Sequence, residues 1–115
     1  MTAGNNKHFS RDYSEHSDIL NIHKIGKLTA GSAELGDFTV DFDNDGNVIG
    51  VEIMNASEFL SQLGIPQQAL ENMGDAEIII NKRGNYIIIM VKLMLPKNVE
   101  HIFTIPEQVV AEAVA

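Results

Sequence analysis

The sequence of 115 residues contains no cysteine. Disulfides and thiolate metal sites are thereby excluded, and a reducing, cytoplasmic setting is the expectation. Lys and Arg are absent from residues 37–77, a span that holds nine acids. Residues 1–36 balance four acids with four bases, and residues 78–115 hold three acids and four bases, so the net charge of −8 arises in the middle third. Acidic surfaces repel phosphate backbones, which argues against nucleic acid and for a basic protein partner or a solvated face. Long apolar runs are missing as well. The longest, "YIIIMV" and "LML", flank Lys92 and fall far short of the roughly 20 residues of a spanning helix. The opening "MTAGNNKHFSRDYSEHSD" lacks the apolar centre of a signal peptide, so neither membrane insertion nor secretion is expected.

Catalytic signatures are equally scarce. There is no G-x-S-x-G elbow, no G-x-G-x-x-G and no phosphate-binding P-loop. His8, His16, His23 and His101 are scattered, without an H-x-H or H-x-x-x-H pair. Glu34, Asp37, Asp41 and Asp43 could supply paired carboxylates, but strand alternation and turns distribute acids in this way by default. No catalytic residue and no cofactor is assigned, and an enzyme is disfavoured.

What the sequence does contain is alternation. "DILNIHK" puts Leu20 and Ile22 on one side and Asn21 and His23 on the other, as in a strand. "GDFTVDFD" and "NVIGVEIM" alternate around Asp45-Gly46, a strong hairpin signal. A two-residue type I′ loop there would pair Phe42 with Ile49, Val40 with Val51 and Phe38 with Ile53, gathering every large apolar group on one face. "NASEFLSQLG" then reads as a helix, with Asn55 and Glu58 as a capping box, Ala56, Phe59, Leu60 and Leu63 on one face, and Gly64 as terminator. "IPQQALENMG" repeats that grammar in miniature. "DAEIIINK" and "NYIIIMVKLML" form a second hairpin, for which Arg83-Gly84 is the expected loop. Its outer face would carry Ile79, Tyr86, Ile88 and Met90, rimmed by Glu77, Asn81 and Lys92. These four apolar residues are the candidate interface. "HIFT" reads as a last strand, and Thr104, Pro106 and Glu107 as the start of a terminal helix bearing Val109, Val110 and Ala113.

Residues 41–52, "DFDNDGNVIGVE", also fit the calcium-loop pattern D-x-[DN]-x-[DN]-G-x₅-E. Such a loop needs helical flanks and about six converging oxygens. Here the flanks have period two, the ninth position is the apolar Ile49, and the hairpin register puts Asp41 opposite Gly50 and Glu52 opposite Thr39. Asp41, Asp43, Asp45 and Glu52 are therefore read as hairpin residues, and no metal site is assigned.

The run "YSEHSDILNIH…GSAELGDFTVDFDNDGNVIGVEIMNAS" resembles a small prokaryotic family, domain of unknown function 2283. Tyr13 and Asp18 match its Tyr-x-x-x-x-Asp opening. Asp41, Asp43, Asp45, Gly46, Gly50, Glu52, Ala56 and Ser57 match its hairpin and the start of the following helix. The resemblance covers roughly residues 13–63. It implies a compact β-rich fold and no established activity; an association with small toxin-like neighbours would imply an antitoxin or immunity role.

These readings converge on an α+β fold, a mostly antiparallel meander of five or six strands with short helices packed on the sheet. A flexible tail over residues 1–12 is expected to precede one domain over residues 13–115, with a family-like core at 13–63 and an extension at 74–115. The favoured function is non-enzymatic protein association, as a homodimer or with a basic protein partner. The alternatives are an antitoxin-like inhibitor of a small basic toxin and a binder of small ligands or divalent cations.

Overall fold

The structure is a computed structural model, and it describes residues 8–105. Strands β1 (Phe9–Ser14), β2 (Ile19–Lys24), β3 (Gly31–Leu35), β4 (Phe38–Phe42) and β5 (Val48–Met54) are followed by helices α1 (Ala56–Ser61) and α2 (Gln67–Glu71), and then by strands β6 (Asp75–Arg83), β7 (Tyr86–Leu95) and β8 (Val99–Thr104). The class is α+β and every strand pairing is antiparallel. The strands form two sheets, ordered β1-β2-β5-β4-β3 and β6-β7-β8, so the described chain has eight strands where five or six were expected. The two extra strands lie at the edges of the first sheet. β1 begins at Phe9, inside the segment read as a tail, and it escaped notice because three consecutive residues, Ser10, Arg11 and Asp12, are exposed. The expected terminal helix falls on residues 106–115, outside the described residues, while Thr104, its supposed cap, ends β8.

The first hairpin keeps the expected register where it is buried: Phe38 faces Ile53 and Val40 faces Val51. Its turn differs from the expected one. The Asp43 N–H donates to the Asn47 carbonyl at 3.0 Å, and the Gly46 N–H donates to the Asp43 carbonyl at 3.1 Å. Among the three loop residues only Gly46 has positive φ, at 79°. This is the three-residue loop of a type I turn followed by a left-handed glycine, not a type I′ turn, which needs positive φ twice. The extra turn residue shifts Phe42 opposite Val48. A register shift before Asp41, which faces Gly50, then leaves Ile49 as an extra residue in β5. The two irregularities cancel, and the buried pattern is restored. Gly46→Val should still cost at least about 1–2 kcal/mol, because a β-branched side chain is strained at positive φ. An unchanged denaturation midpoint would contradict this.

In the second hairpin, Arg83 faces Tyr86 and Ile80 faces Ile89. The loop is Gly84-Asn85, not Arg83-Gly84. Gly84 has φ 57° and Asn85 does not have positive φ, as in a type II′ turn, which wants glycine first. The true register lies two residues from the expected one, and a shift of two changes partners without changing faces.

Between the hairpins, α1 ends as expected at Gly64. The Ile65 N–H donates to the Leu60 carbonyl at 3.0 Å and the Gly64 N–H to the Ser61 carbonyl at 3.0 Å, the paired bonds of a Schellman ending. Leu60 and Ile65 are both fully buried beneath it. One core joins both sheets and both helices. It runs from Leu20, Ile22, Val40 and Val51 through Leu60 and Leu70 to Ile89, Val91, Leu93 and Phe103. The Phe59 ring bridges the layers, edge-on to Phe38 at 5.2 Å and to Phe103 at 5.6 Å.

Candidate interaction surface and the motif residues

Alternation assigns each face of the β6-β7-β8 sheet. Ala76, Ile78, Val91, Leu93 and Phe103 point to the core and are buried. The intervening residues point away from it. The candidate interface residues Ile79, Tyr86, Ile88 and Met90 all lie on this outer face, with Ile79 opposite Met90 and Asn81 opposite Ile88. Ile79, Ile88 and Met90 are half-buried and Tyr86 is exposed. β8 adds Ile102, which pairs with Lys92 and stays 51% exposed. The alternation of "HIFT" carries the signal for Ile102, but only the pairing of β8 with β7 shows that it joins the same face.

On this face one lysine pairs with two acids. Lys92 Nζ lies 3.2 Å from Glu77 and 3.9 Å from Glu100. The hydrogen bond to Glu77, followed by the charges of Glu77 and Glu100, raises the Lys92 pKa. A raised lysine pKa gives stability that is complete below the ordinary lysine range and is lost as pH rises through the folded value, so the pair holds throughout the neutral range.

The calcium-like residues are spread along the first hairpin. Asp41 faces Gly50 and Glu52 faces Thr39. Asp41 accepts a hydrogen bond from the Ser32 hydroxyl at 2.5 Å. Asp43 accepts the N–H groups of Asp45 and Asn47, each at 2.9 Å, and the Asn47 side-chain amide at 3.3 Å. The Asn47 backbone bond leads in lowering the Asp43 pKa. The carboxylate therefore serves as a turn-former. Among the described residues no group of three or more His, Asp or Glu side chains is placed to hold a metal ion. Gly50 lies between His23 and Asp41 on the neighbouring strands, and a Cβ there would come within 2.8 Å of Asp41 and 2.9 Å of His23. His23 Nδ1 donates to the Lys24 carbonyl at 2.9 Å, leaving Nε2 to accept from the Thr29 hydroxyl at 3.2 Å. His101 Nε2 donates to the Leu63 carbonyl at 3.1 Å.

Tyr13, Asp18 and Ser57 form one network. Asn55, the expected cap of α1, has φ 53° and makes no capping bond; its amide donates to Asp37 instead, at 3.3 Å. Asp18 supplies the cap from 39 residues away. It accepts the Ser57 N–H at 3.0 Å and the Ser57 hydroxyl at 2.8 Å, and its own carbonyl accepts the Ala56 N–H at 3.0 Å. The Tyr13 hydroxyl donates to the same carboxylate at 2.6 Å and accepts from the Gln67 amide at 2.9 Å. Burial pushes the Asp18 pKa up, but the hydrogen bonds from Tyr13 and Ser57 outweigh it, and the net shift is downward. Burial, then the bond to Asp18, raises the Tyr13 pKa. The network ties the β1–β2 hairpin to both helices.

A depressed aspartate pKa gives stability that is present above the ordinary carboxyl range and is lost as pH falls through the folded value. Asp18→Ala should therefore cost about 1–2 kcal/mol at neutral pH, the usual scale of a lost cap. The difference from wild type should shrink as pH drops below about 4. Parallel urea titrations across that range check this, and a pH-independent difference would contradict it.

Comparison with known proteins agrees with the motif residues. Residues 11–57 match the model of a family described as a protein of unknown function, DUF2283. The chain is also 38% identical over 50 residues to an uncharacterized protein of Methanocaldococcus jannaschii, an overlap of 44% of this chain and 43% of that protein. The match thus spans less than half the length of that relative. No solved structure matches the chain. The matched span covers most of β1, all of β2 to β5 and the first residues of α1, and it includes Tyr13, Asp18 and Ser57. It leaves out the β6-β7-β8 sheet entirely.

Proposed function

We propose that the protein works by association rather than catalysis, as a homodimer formed through the outer face of the β6-β7-β8 sheet. One observation carries this reading: Ile79, Ile88, Met90 and Ile102 form a contiguous apolar stripe on a face that points away from the chain's own described core. Full burial of a large exposed apolar side chain gains roughly 1.5–3 kcal/mol, and a cover here gains the part of that which remains, since Ile79, Ile88 and Met90 are already half-buried. Charge permits a second copy as the cover. On this outer face Arg83 and Lys92 stand against Asp75, Glu77 and Glu100, so bases and acids are interspersed and nearly balanced. Two copies of this face therefore meet with charges of both signs rather than as strongly like-charged surfaces. Across a two-fold axis the apolar stripe would meet itself, and each Lys92 could re-pair with an acid of the partner. An apolar centre with a charged rim is the usual composition of such a contact. Light scattering at tens of micromolar tests it: a mass near twice the chain's 12.6 kDa is expected, and a monomer at that concentration would overturn the homodimer.

A further inference from the structure

A second feature lies at the opposite side of the β6–β7 hairpin, between the two sheets. The β4–β5 turn, the loop after β2 and the far end of the β6–β7 hairpin enclose a cleft of about 690 Å³. That volume is within the ordinary range of small-molecule sites, roughly 300–1,000 Å³. Its floor is apolar, formed by Val48, Ile49, Ile80 and Ile87. Ile80 points to the inner side of its sheet, as Ile78 does, yet it is 37% exposed. Three lysines, Lys24, Lys27 and Lys82, stand around this floor.

The lysines are out of proportion to the chain. It has eight basic residues against sixteen acids, yet three of the eight line one cleft. None of the three makes a salt bridge among the described residues, where the ion pairs are those of Lys92. Of the two acids that also line the cleft, Asp43 already accepts three N–H groups of its own turn. The charge of Lys27 acts on Asp43 across the cleft, while Lys24 and Lys82 have no ion-pair partner among the described residues. The loop that follows Lys24 and carries Lys27 also exposes Ile25 and Leu28, the latter 88% exposed, so apolar and basic groups recur together at the rim.

From this juxtaposition we infer that the cleft binds a small amphipathic anion, whose acidic head pairs with Lys24, Lys27 and Lys82 and whose apolar body lies on Ile49, Ile80 and Ile87. This site is independent of the proposed dimer face, because the outer and inner faces of one sheet are different surfaces.

The probe is 8-anilinonaphthalene-1-sulfonate, with the uncharged N-phenyl-1-naphthylamine beside it. The sulfonate should saturate a single site, and amide shifts in a nitrogen-15 spectrum should cluster at Lys24–Leu28, Asp43–Ile49 and Ile80–Ile87. The variant K24Q/K27Q/K82Q alters side chains that are exposed or half-buried, so it should fold, and circular dichroism checks that. It should weaken sulfonate binding about ten-fold or more, the combined scale of three exposed charge contacts. The uncharged probe should lose less than about two-fold, since it carries no charge for the lysines to attract. Binding that does not saturate, binding unchanged in the variant, or shifts confined to the outer face of β6-β7-β8 would each overturn the inference. Sedimentation with vesicles of phosphatidylserine and phosphatidylcholine separates a free ligand from a lipid surface. Wild type should stay in the supernatant, and pelleting would overturn the small-molecule site in favour of a membrane.

Discussion

Leu93→Ala is expected to lower the unfolding free energy by about 2–5 kcal/mol, the range for truncating a fully buried leucine. Leu93 has no exposed surface and sits on the middle strand of the β6-β7-β8 sheet, facing the shared core. It belongs to the same buried cluster as Val51 and Leu60, so truncation leaves a gap in the core that both sheets share. For a domain with 5–15 kcal/mol of total stability the loss is a large share. The structural claim under test is that residues 8–105 fold as one cooperative unit. Amide exchange reads it directly. Protection at Val40 and Val51 in the first sheet should fall in step with protection at Val91. A loss confined to β6, β7 and β8 would show two separate units instead.

Ile88→Glu is expected to change the state of association and leave the fold intact. Ile88 points away from the core and is only half-buried, so a carboxylate there retains access to water in a monomer. In a two-fold dimer the same change places two negative charges close together in an apolar contact, and the apolar gain from two isoleucines disappears. The mass should fall to one chain, 12.6 kDa, with an unchanged far-ultraviolet spectrum. A different cover would answer differently. If residues 106–115 occupy the same face, the variant should lose stability at constant mass. Ser61→Glu, on the exposed side of α1, is the control and should alter neither mass nor fold.

The parts of this fold that could be read from sequence are those where two local signals coincide. In residues 38–54 the alternation and the place of the chain reversal at Asp45-Gly46 coincide, so the pairs Phe38–Ile53 and Val40–Val51 emerge correctly, while the turn type and the Phe42 partner do not. The paired irregularities at Gly46 and Ile49 stay hidden because they cancel. In the second hairpin, strand period alone fixes which face Ile79, Ile88 and Met90 share, and it is blind to a shift of two. That shift is what separates Arg83-Gly84 from Gly84-Asn85. The edge strands β1 and β3 lack a buried alternation, since Ser10, Arg11, Asp12, Ser32 and Glu34 are all exposed. No local pattern reveals that Asp18 caps a helix 39 residues later. Family likeness groups Tyr13, Asp18 and Ser57 by text, and their hydrogen bonds supply the reason. The lysines of the inter-sheet cleft are the extreme case. Lys24 and Lys82 are 58 positions apart, and only the packing of one sheet against the other makes them neighbours.

Contacts between copies at the proposed face can be observed without any mutation. A sample mixing carbon-13 methyl-labelled and unlabelled protein, at a concentration where light scattering gives the dimer mass, isolates intermolecular proton contacts in a filtered NOE spectrum. Contacts from the labelled methyls of Ile79, Ile88, Met90 and Ile102 to the unlabelled copy are the expected result. Contacts from other methyls alone, such as those of exposed Ile25 and Leu28, or no intermolecular contacts at all, would contradict association through the outer face of β6-β7-β8.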